Sequence, residues 1–339
     1  MILPELQDEL DKMKLPQFRS NQIYSWFHQK GAQSYDEMSD LPKHLRGMLN
    51  DLYPIFNCNI VNKQISKIDS TIKYLFSLHD GELIETVLMH YKYGYSICIS
   101  CQVGCRMGCK FCATGLNGKK RNLTPSEMLG QIYAVQNDMN IQISHIVLMG
   151  MGEPLDNYKN VKRFLRLVND INGLNIGMRN ISLSTCGIVP GIYLLMGEKL
   201  QLTLSVSIHA PNDLIRSDLM PVNNKYNIES LLNSCNKYAE ITSRRISFEY
   251  AMMKDINDSD KCAIELANRL KGILCHVNLI PSNEVVEFKY QRSSAERLES
   301  FKKIISENGI NVTIRRSLGA DIDASCGQLR NRLQPVNSY

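Results

Sequence analysis

Over the first fifty or so positions, apolar residues recur at three- and four-residue spacing. The segments "LPELQDELDKM", "RSNQIYSWFHQKG" and "LPKHLRGMLNDLY", with Pro or Gly between them, predict short helices over 1–52. The period then changes to two. "IKYLFSLHDGELIETVLM" carries two alternating runs around Asp80 and Gly81, a hairpin signal, so 53–95 is expected to be a β-hairpin connecting segment. From Ser96 onward, short β-branched runs alternate with longer helical patterns. The runs are "SICISC", "SHIVLMGMG", "NISLSTCGI", "LTLSVSIHA", "RISFEYAMM", "CHVNLIPS" and "NVTIRR"; the helical patterns include "TPSEMLGQIYAVQND" and "SAERLESFKKIISENG". Such alternation predicts parallel strands joined by right-handed crossovers. The expected fold class is α/β: a partial (β/α)6 barrel over 96–330, a small helical N-terminal accessory domain, and a tail over 331–339. Chemistry in a barrel belongs at the C-terminal ends of the strands.

Composition changes this picture little. The chain has 339 residues, 44% hydrophobic and 22% charged, which suits one large α/β domain with an accessory piece. It holds no apolar run long enough to span a membrane. The opening "MILPELQDELDKMKLPQF" interleaves charge with apolar residues where a signal peptide would be continuously apolar. A cytoplasmic location is expected. Eleven cysteines, an odd number scattered from Cys58 to Cys326, make a poor disulfide framework. In a reducing compartment the clustered ones are metal-binding or catalytic. A net charge of +5 permits an RNA partner without demanding one.

The cluster is "CRMGCKFCATG", where Cys105, Cys109 and Cys112 are spaced C-x3-C-x2-C. Thiolates are soft ligands suited to zinc or iron–sulfur clusters. Structural zinc wants four ligands, and a [4Fe–4S] cluster is usually held by four cysteines. Three would leave one iron open to bind something else. A zinc site completed by Cys101, Cys98 or a distant His is the competing reading. The turn "MGMGEP" closes the next strand; Gly152 lets backbone approach a ligand, and Glu153 can accept from an ammonium. Ser184, Ser207, Ile208, His209 and Asn283 lie at or just past strand ends, a rim suited to ribose and adenine.

C-x3-C-x2-C followed by an aromatic-containing segment resembles the radical S-adenosylmethionine (SAM) superfamily. That resemblance implies one [4Fe–4S] cluster per chain, whose open iron chelates the amino and carboxylate groups of SAM. Reduction of the cluster then cleaves SAM to a 5′-deoxyadenosyl radical. "MGMGEPLDN", "LMPVNNKYNIESLL", "CHVNLIPSN" and "DIDASCGQLR" together resemble the RlmN family of rRNA and tRNA adenine carbon-2 methyltransferases, through nearly the whole chain. The resemblance implies that Cys326 is a methyl carrier and Cys98, seven residues before Cys105, its resolving partner. It also makes Glu85 in "LIETVLM", thirteen residues before Cys98, the proton acceptor.

Two SAM molecules are then used per turnover. Cys326 takes a methyl from one, and the other, once cleaved, abstracts hydrogen from that methyl. The carbon radical adds to adenine, the carbon 2 proton leaves, and Cys98 attacks the Cys326 sulfur, leaving a transient disulfide. Cys101 and Cys186 stand where the family usually has Ser and are expected to be packing thiols, with Cys101 the rival to Cys98 in resolution. "SNEVVEFKY" departs from the usual continuation after Pro281.

The implied partners are 23S rRNA, tRNA as a second substrate, and an electron donor such as flavodoxin or ferredoxin; a monomer without membrane attachment is expected. Phosphates are expected to meet "GKKRN" (118–122), Arg315 and Arg316, and the N-terminal helices with Lys12, Lys14, Arg19, Lys43 and Arg46. The target adenine must be flipped out of its stack, and no aromatic is singled out to receive it. Three alternatives stand beside this. A Cfr-type carbon-8 methyltransferase would share the cysteine set, but the proline of "GEPL" favours carbon 2. A non-catalytic zinc-binding RNA-interaction protein would be colourless. A radical SAM enzyme for a small molecule or peptide leaves Cys326 and Cys98 together unexplained.

Overall fold

The computed structural model describes residues 1–55, 57–283 and 288–329. The tail over 331–339, the last position of the segment 96–330, and Glu284 to Glu287 of "SNEVVEFKY" lie outside the described residues.

Three N-terminal helices form where the periodicity places them: α1 (Leu3–Lys12), α2 (Phe18–His28) and α3 (Lys43–Leu52). Their apolar positions Leu6, Leu10, Ile23, Tyr24, Leu45 and Leu49 converge, with Tyr35, Met38 and Leu41, on a core separate from the main one. Polar contacts fasten this unit to the rest. The Tyr24 hydroxyl donates to Asp170 (2.8 Å), and His28 Nδ1 meets the Tyr133 hydroxyl (2.7 Å).

The hairpin predicted around Asp80 is present, as β2 (Ile72–Ser77) and β3 (Leu83–Tyr91) of a larger array; the strand before it, β1 (Asn59–Ile65), escaped the sequence reading. β1 is an edge strand exposed along much of its length, so its residues carry little apolar alternation. β3 pairs antiparallel with β4 (Gly94–Cys98), which pairs parallel with a barrel strand on its other side. The segment 53–95 is therefore an antiparallel extension of the main sheet and more than a connector. Register places Val87 opposite Cys98 and Glu85 opposite Leu75.

After β4 comes a two-stranded ribbon, β5 (Gln102–Gly104) with β6 (Lys119–Asn122). The repeating units follow in order: α4 (Pro125–Met139), β7 (Ile143–Leu148), α5 (Tyr158–Asn169), β8 (Ile181–Thr185), α6 (Val189–Gly197), β9 (Thr203–Ser207), α7 (Asp213–Leu219), α8 (Ile228–Thr242), β10 (Ile246–Met252), α9 (Asp260–Leu270), β11 (Cys275–Pro281), α10 (Ala295–Glu307) and β12 (Asn311–Ile314). The sheet order is β1-β2-β3-β4-β7-β8-β9-β10-β11-β12. All pairs from β4 to β12 are parallel, so six helical crossovers join seven parallel strands.

Helices start where polar caps allow. Thr124 accepts from the Glu127 amide, while the Glu127 carboxylate returns to the Thr124 amide, a capping box for α4. Asn227, Ser259 and Ser294 cap α8, α9 and α10 in the same sense. Strand residues such as Ile146, Leu183, Val206, Phe248 and Val277 are fully buried, each contributing roughly 1.5–3 kcal/mol of transfer free energy. This wall of apolar side chains holds the C-terminal strand ends in fixed relation. No described helix is long and apolar enough to cross a membrane.

Candidate active site

The three-cysteine loop is closed at its base by the β5–β6 ribbon. Gly104 adopts φ +72°, and a Cβ there would meet the Gly118 carbonyl oxygen at 1.9 Å. Only glycine fits, and the Cys105 amide then donates to that same carbonyl (2.9 Å). Cys105, Cys109 and Cys112 all face one cleft of ≈ 980 Å³, counting its open mouth, beside Met107 and Phe111. Burial pushes the Cys105 thiol up to about 12 and Cys109 well above its usual range, with each thiol also raising its neighbours. Thiolates in so desolvated a place need a positive charge to stay ionised, which a bound iron–sulfur cluster provides. Among the described residues, no three His, Cys, Asp or Glu side chains converge on one point where a single ion would sit. A cluster that takes one cysteine per iron needs no such convergence. The donor set fits a [4Fe–4S] cluster.

The other cleft walls come from strand ends. Gly152 has φ +108°, and a Cβ there would lie 2.6 Å from Gln102 Cβ; the glycine is needed first for this close pass of the ribbon. Glu153 is buried, accepting from the Leu155 (3.0 Å) and Cys186 (2.7 Å) amides, and burial raises its carboxyl. A carboxylate has lone pairs for further donors, so an ammonium remains acceptable there. Ser184 and Ser207 face the cleft. His209 does too, at φ +50°. Burial, then Arg216, pushes it down to about 3, and its Nδ1 accepts from the Ala251 amide (2.8 Å), so the ring is neutral with hydrogen on Nε2. Ile208 lies apart: its side chain is in the main core and its amide donates to the Glu249 carbonyl (3.1 Å).

Sequence reasoning missed Arg216. Its fully buried guanidinium donates to the carbonyls of Cys186 (2.7 Å), Ser207 (3.1 Å) and Ile208 (3.2 Å) and to Asn223 (2.9 Å), tying the ends of β8 and β9 together. In "DLIRSDL" it is indistinguishable from a surface helix residue.

Cys326 belongs to two cavities. It faces the large cleft, and it also lines a smaller one with Cys98, Val87, Tyr91, Asn283, Arg315 and Arg316. Burial pushes Cys98 up to about 12, the charge of Cys326 raising it further and Arg315 lowering it. Arg315 is held above its usual range chiefly by Cys326; it also lies 4.0 Å from Glu249. The Asn283 amide nitrogen donates to the Cys326 carbonyl (3.2 Å). The Cys326 segment is clamped to the cluster loop, since the Ala113 amide donates to the Gly327 carbonyl and the Thr114 hydroxyl to that of Leu329, both at 2.8 Å.

Glu85 stands just outside these walls. It is buried one pleat beyond Val87, with Lys73 Nζ 3.6 Å away. The two extra thiols separate. Cys101 lines neither cavity and feels Glu153, Cys105 and Asp156, whereas Cys98 feels Cys326. Cys186, expected to pack idly, lines the large cleft near Cys109 and Glu153.

The basic cluster 118–122 is already paired. Lys119 meets Asp156 (2.7 Å), Lys120 meets Glu82 (2.8 Å), and Arg121 meets Asp80 (2.6 Å) and Glu127 (2.8 Å). Carboxylates therefore compete with phosphate for these cations. Arg315 likewise turns inward, lining the cavity that holds Cys98 and Cys326, and only Arg316 of that pair is exposed. In the N-terminal unit, Lys12 pairs with Glu9 (2.6 Å), Arg19 donates to the Asp40 carbonyl (3.1 Å) and Arg46 to the Asp36 carbonyl (2.7 Å).

Comparison with known proteins bears on both parts of the molecule. Residues 1–55 match the ribosomal RNA large subunit methyltransferase N-terminal domain, and 99–267 the radical SAM superfamily. A Clostridium novyi protein described as "probable dual-specificity RNA methyltransferase RlmN" is 50% identical over 328 residues, 97% of this chain and 96% of the relative. Its namesake from Thermoanaerobacter pseudethanolicus is 46% identical, covering 98% of this chain and 97% of the relative. The crystal structure of a radical SAM methyltransferase from Sphaerobacter thermophilus superposes with a TM-score of 0.95 at 44% identity, over 98% of both chains. Streptococcus suis SuiB bound to S-adenosylmethionine shares the fold alone, at 14% identity and TM-score 0.50 over 67% of this chain and 54% of that one.

Proposed function

From a chain that belongs to the RlmN family of radical SAM methyltransferases, we propose methylation of carbon 2 of an adenosine in 23S rRNA, with tRNA as a second substrate. The observation that carries the proposal is that Cys326 opens onto both cavities, the three-cysteine cleft on one side and Cys98 on the other. A carrier that receives a methyl and later delivers it needs both exposures.

Carbon 2 of adenine has no lone pair and cannot displace the methyl of a sulfonium; a thiolate can. The Cys326 sulfur attacks the SAM methyl, the carbon–sulfonium bond breaks, and S-adenosylhomocysteine leaves. Arg315 favours the thiolate form of Cys98. Cys105, Cys109 and Cys112 would hold the cluster, with Gly152, Glu153, Ser184, Ser207, His209 and Asn283 around SAM. The cluster, when bound, supplies the electron that cleaves a second SAM. The methyl of Cys326 gives a hydrogen atom to the cleaved SAM and its carbon bonds carbon 2 of the base; Glu85 then takes the carbon 2 proton, and the unpaired electron left on the adduct would return to the bound cluster. The Cys98 sulfur then attacks that of Cys326; the sulfur–carbon bond breaks, its electron pair goes to the carbon, and a proton completes the methyl. The resulting disulfide is reduced before the next turnover.

A flavodoxin- or ferredoxin-class electron donor, a monomer and a cytoplasmic location complete the proposal. RNA docking falls to the helices of 1–52, where Lys14 and Lys43 have no ion-pair partner among the described residues and stay available to phosphate. A carbon-8 methyltransferase would use the same cysteines; Pro154 and the names of the relatives favour carbon 2.

Mass spectrometry of the Cys326 peptide from cluster-replete protein tests this. One added methylene on Cys326 is expected, absent when Cys105→Ala, Cys109→Ala and Cys112→Ala are combined, with 2-methyladenosine in the RNA product. An unmodified Cys326 after incubation with SAM removes the carrier role, and 8-methyladenosine removes the carbon 2 assignment.

A further inference from the structure

Lys73 of β2 is 6% exposed, an unusual place for an ammonium. Its Nζ lies 3.6 Å from the carboxylate of Glu85, whose side chain is 5% exposed. Register sets Lys73 opposite Val87 and Leu75 opposite Glu85. The two charged residues are thus diagonal neighbours on one face of the sheet, the face on which Val87 lines the Cys98–Cys326 cavity. Burying such a pair costs desolvation that apolar residues of the same volume would avoid, so stability alone is a weak reason to have it.

A third contact supplies a reason. Lys73 Nζ donates to the Asp323 carbonyl at 3.3 Å, three residues before Cys326. The turn between β1 and β2 grips the same loop: Asp321 accepts from the Ser66 hydroxyl (2.7 Å) and the Lys67 amide (2.9 Å), and Asp69 accepts from the Gly319 amide (2.9 Å). These backbone-side grips fasten the loop; Lys73 adds a charge that touches both the loop and Glu85.

The geometry points to Lys73 as a positioning residue for proton removal, one ammonium that holds the Glu85 carboxylate and the Cys326 loop in fixed relation. This rests on the roles given above to Glu85 and Cys326. In the step concerned, the carbon 2–hydrogen bond of the covalent protein–RNA adduct breaks. Its electron pair stays on the base, the proton passes to a Glu85 oxygen, and the unpaired electron left from radical addition would return to the bound cluster. The ammonium 3.6 Å away orients that carboxylate and balances its charge in a buried place. The tether to Asp323 keeps it beside the base attached to Cys326. Methylation of Cys326 and formation of the adduct use no Glu85 oxygen, so both survive loss of the ammonium.

The test compares Lys73→Gln, Lys73→Arg, Glu85→Gln and Ser66→Ala in the cluster-loaded full chain, with RNA substrate. Cys326 methylation is followed by mass spectrometry and the protein–RNA adduct on denaturing gels. Lys73→Gln is expected to keep methylated Cys326 but to accumulate adduct that decays about tenfold more slowly. Lys73→Arg is expected to restore the decay, and Ser66→Ala, which loosens the loop without removing charge, to leave it unchanged. Normal decay in Lys73→Gln while Glu85→Gln accumulates adduct overturns the role of Lys73 and leaves that of Glu85 standing. Normal decay in Glu85→Gln overturns the Glu85 reading and this inference with it. Adduct accumulation in Ser66→Ala as strong as in Lys73→Gln, or loss of Cys326 methylation in Lys73→Gln with the cluster intact, reduces Lys73 to a loop fastener and overturns the inference. Should Lys73→Gln not fold, a folded Lys73→Arg that accumulates adduct like Glu85→Gln overturns it equally.

Discussion

At the three-cysteine loop, the thiols lie within eight consecutive residues, and the ribbon that closes the loop begins and ends beside it. Around Cys326, the neighbours come from β3, β4, the end of β11 and the end of β12. The first region is local: two glycines, one ribbon hydrogen bond and buried sulfur. The second is assembled from the two ends of a curled sheet and works through charge, with Arg315 in the same cavity as the thiols and the Lys73–Glu85 pair beyond it. A local site depends on backbone shape, so a single Cβ can break it. An assembled site depends on electrostatics across strands, so its variants should change rates more than they change structure.

The sharpest way to break this contrast is Gly104→Val. Its side chain would overlap the Gly118 carbonyl, whose oxygen lies 1.9 Å from the position of a Cβ. We expect near-complete loss of bound iron and of visible absorption, with helical and sheet content retained by circular dichroism. Normal iron loading would show that the ribbon does not shape the loop.

On the other side, Arg315→Met should leave the iron content unchanged and slow attack by the Cys98 sulfur on that of Cys326 at neutral pH by about tenfold, the effect of roughly one pKa unit. The sign follows from charge: a cation beside a thiol favours its thiolate, and removing it raises the pKa. Cys98, already pushed up to about 12 by burial, has a thiolate fraction that grows with pH throughout the neutral range. Closure of the Cys98–Cys326 disulfide should therefore accelerate with pH, and in Arg315→Met the whole curve should move to higher pH. An unmoved curve would separate Arg315 from the thiols.

The smallest effect is expected outside both regions. Lys120 forms an exposed pair with Glu82, worth at most about 1 kcal/mol. Lys120→Ala should barely alter the melting temperature or the salt dependence of RNA binding. A strong loss of RNA affinity would show that Lys120 meets phosphate in spite of its pairing with Glu82.

Some of this molecule is legible without coordinates. The three N-terminal helices follow from apolar spacing, the hairpin from period-two runs around Asp80 and Gly81, and the parallel array from alternation of strand and helix patterns. Three thiols in eight residues announce soft-metal chemistry. β1 was invisible because an exposed edge strand carries little hydrophobic pattern. Arg216 was invisible because burial of one helix residue is settled by what packs over it.

What the sequence determined by itself was periodicity and close spacing, since both arise from interactions within a few residues: helix, strand, turn, and the grouping of Cys105, Cys109 and Cys112 in one loop. Tertiary structure alone decided which distant groups meet. Cys98 faces Cys326 while Cys101, three residues on, faces Glu153. Arg315 turns inward, the lysines of 118–122 find carboxylates, and Lys73 reaches both Glu85 and the Cys326 loop. Those outcomes depend on strand register and on the curl of a ten-stranded sheet, set by the summed packing of the whole core and written in no single stretch of it.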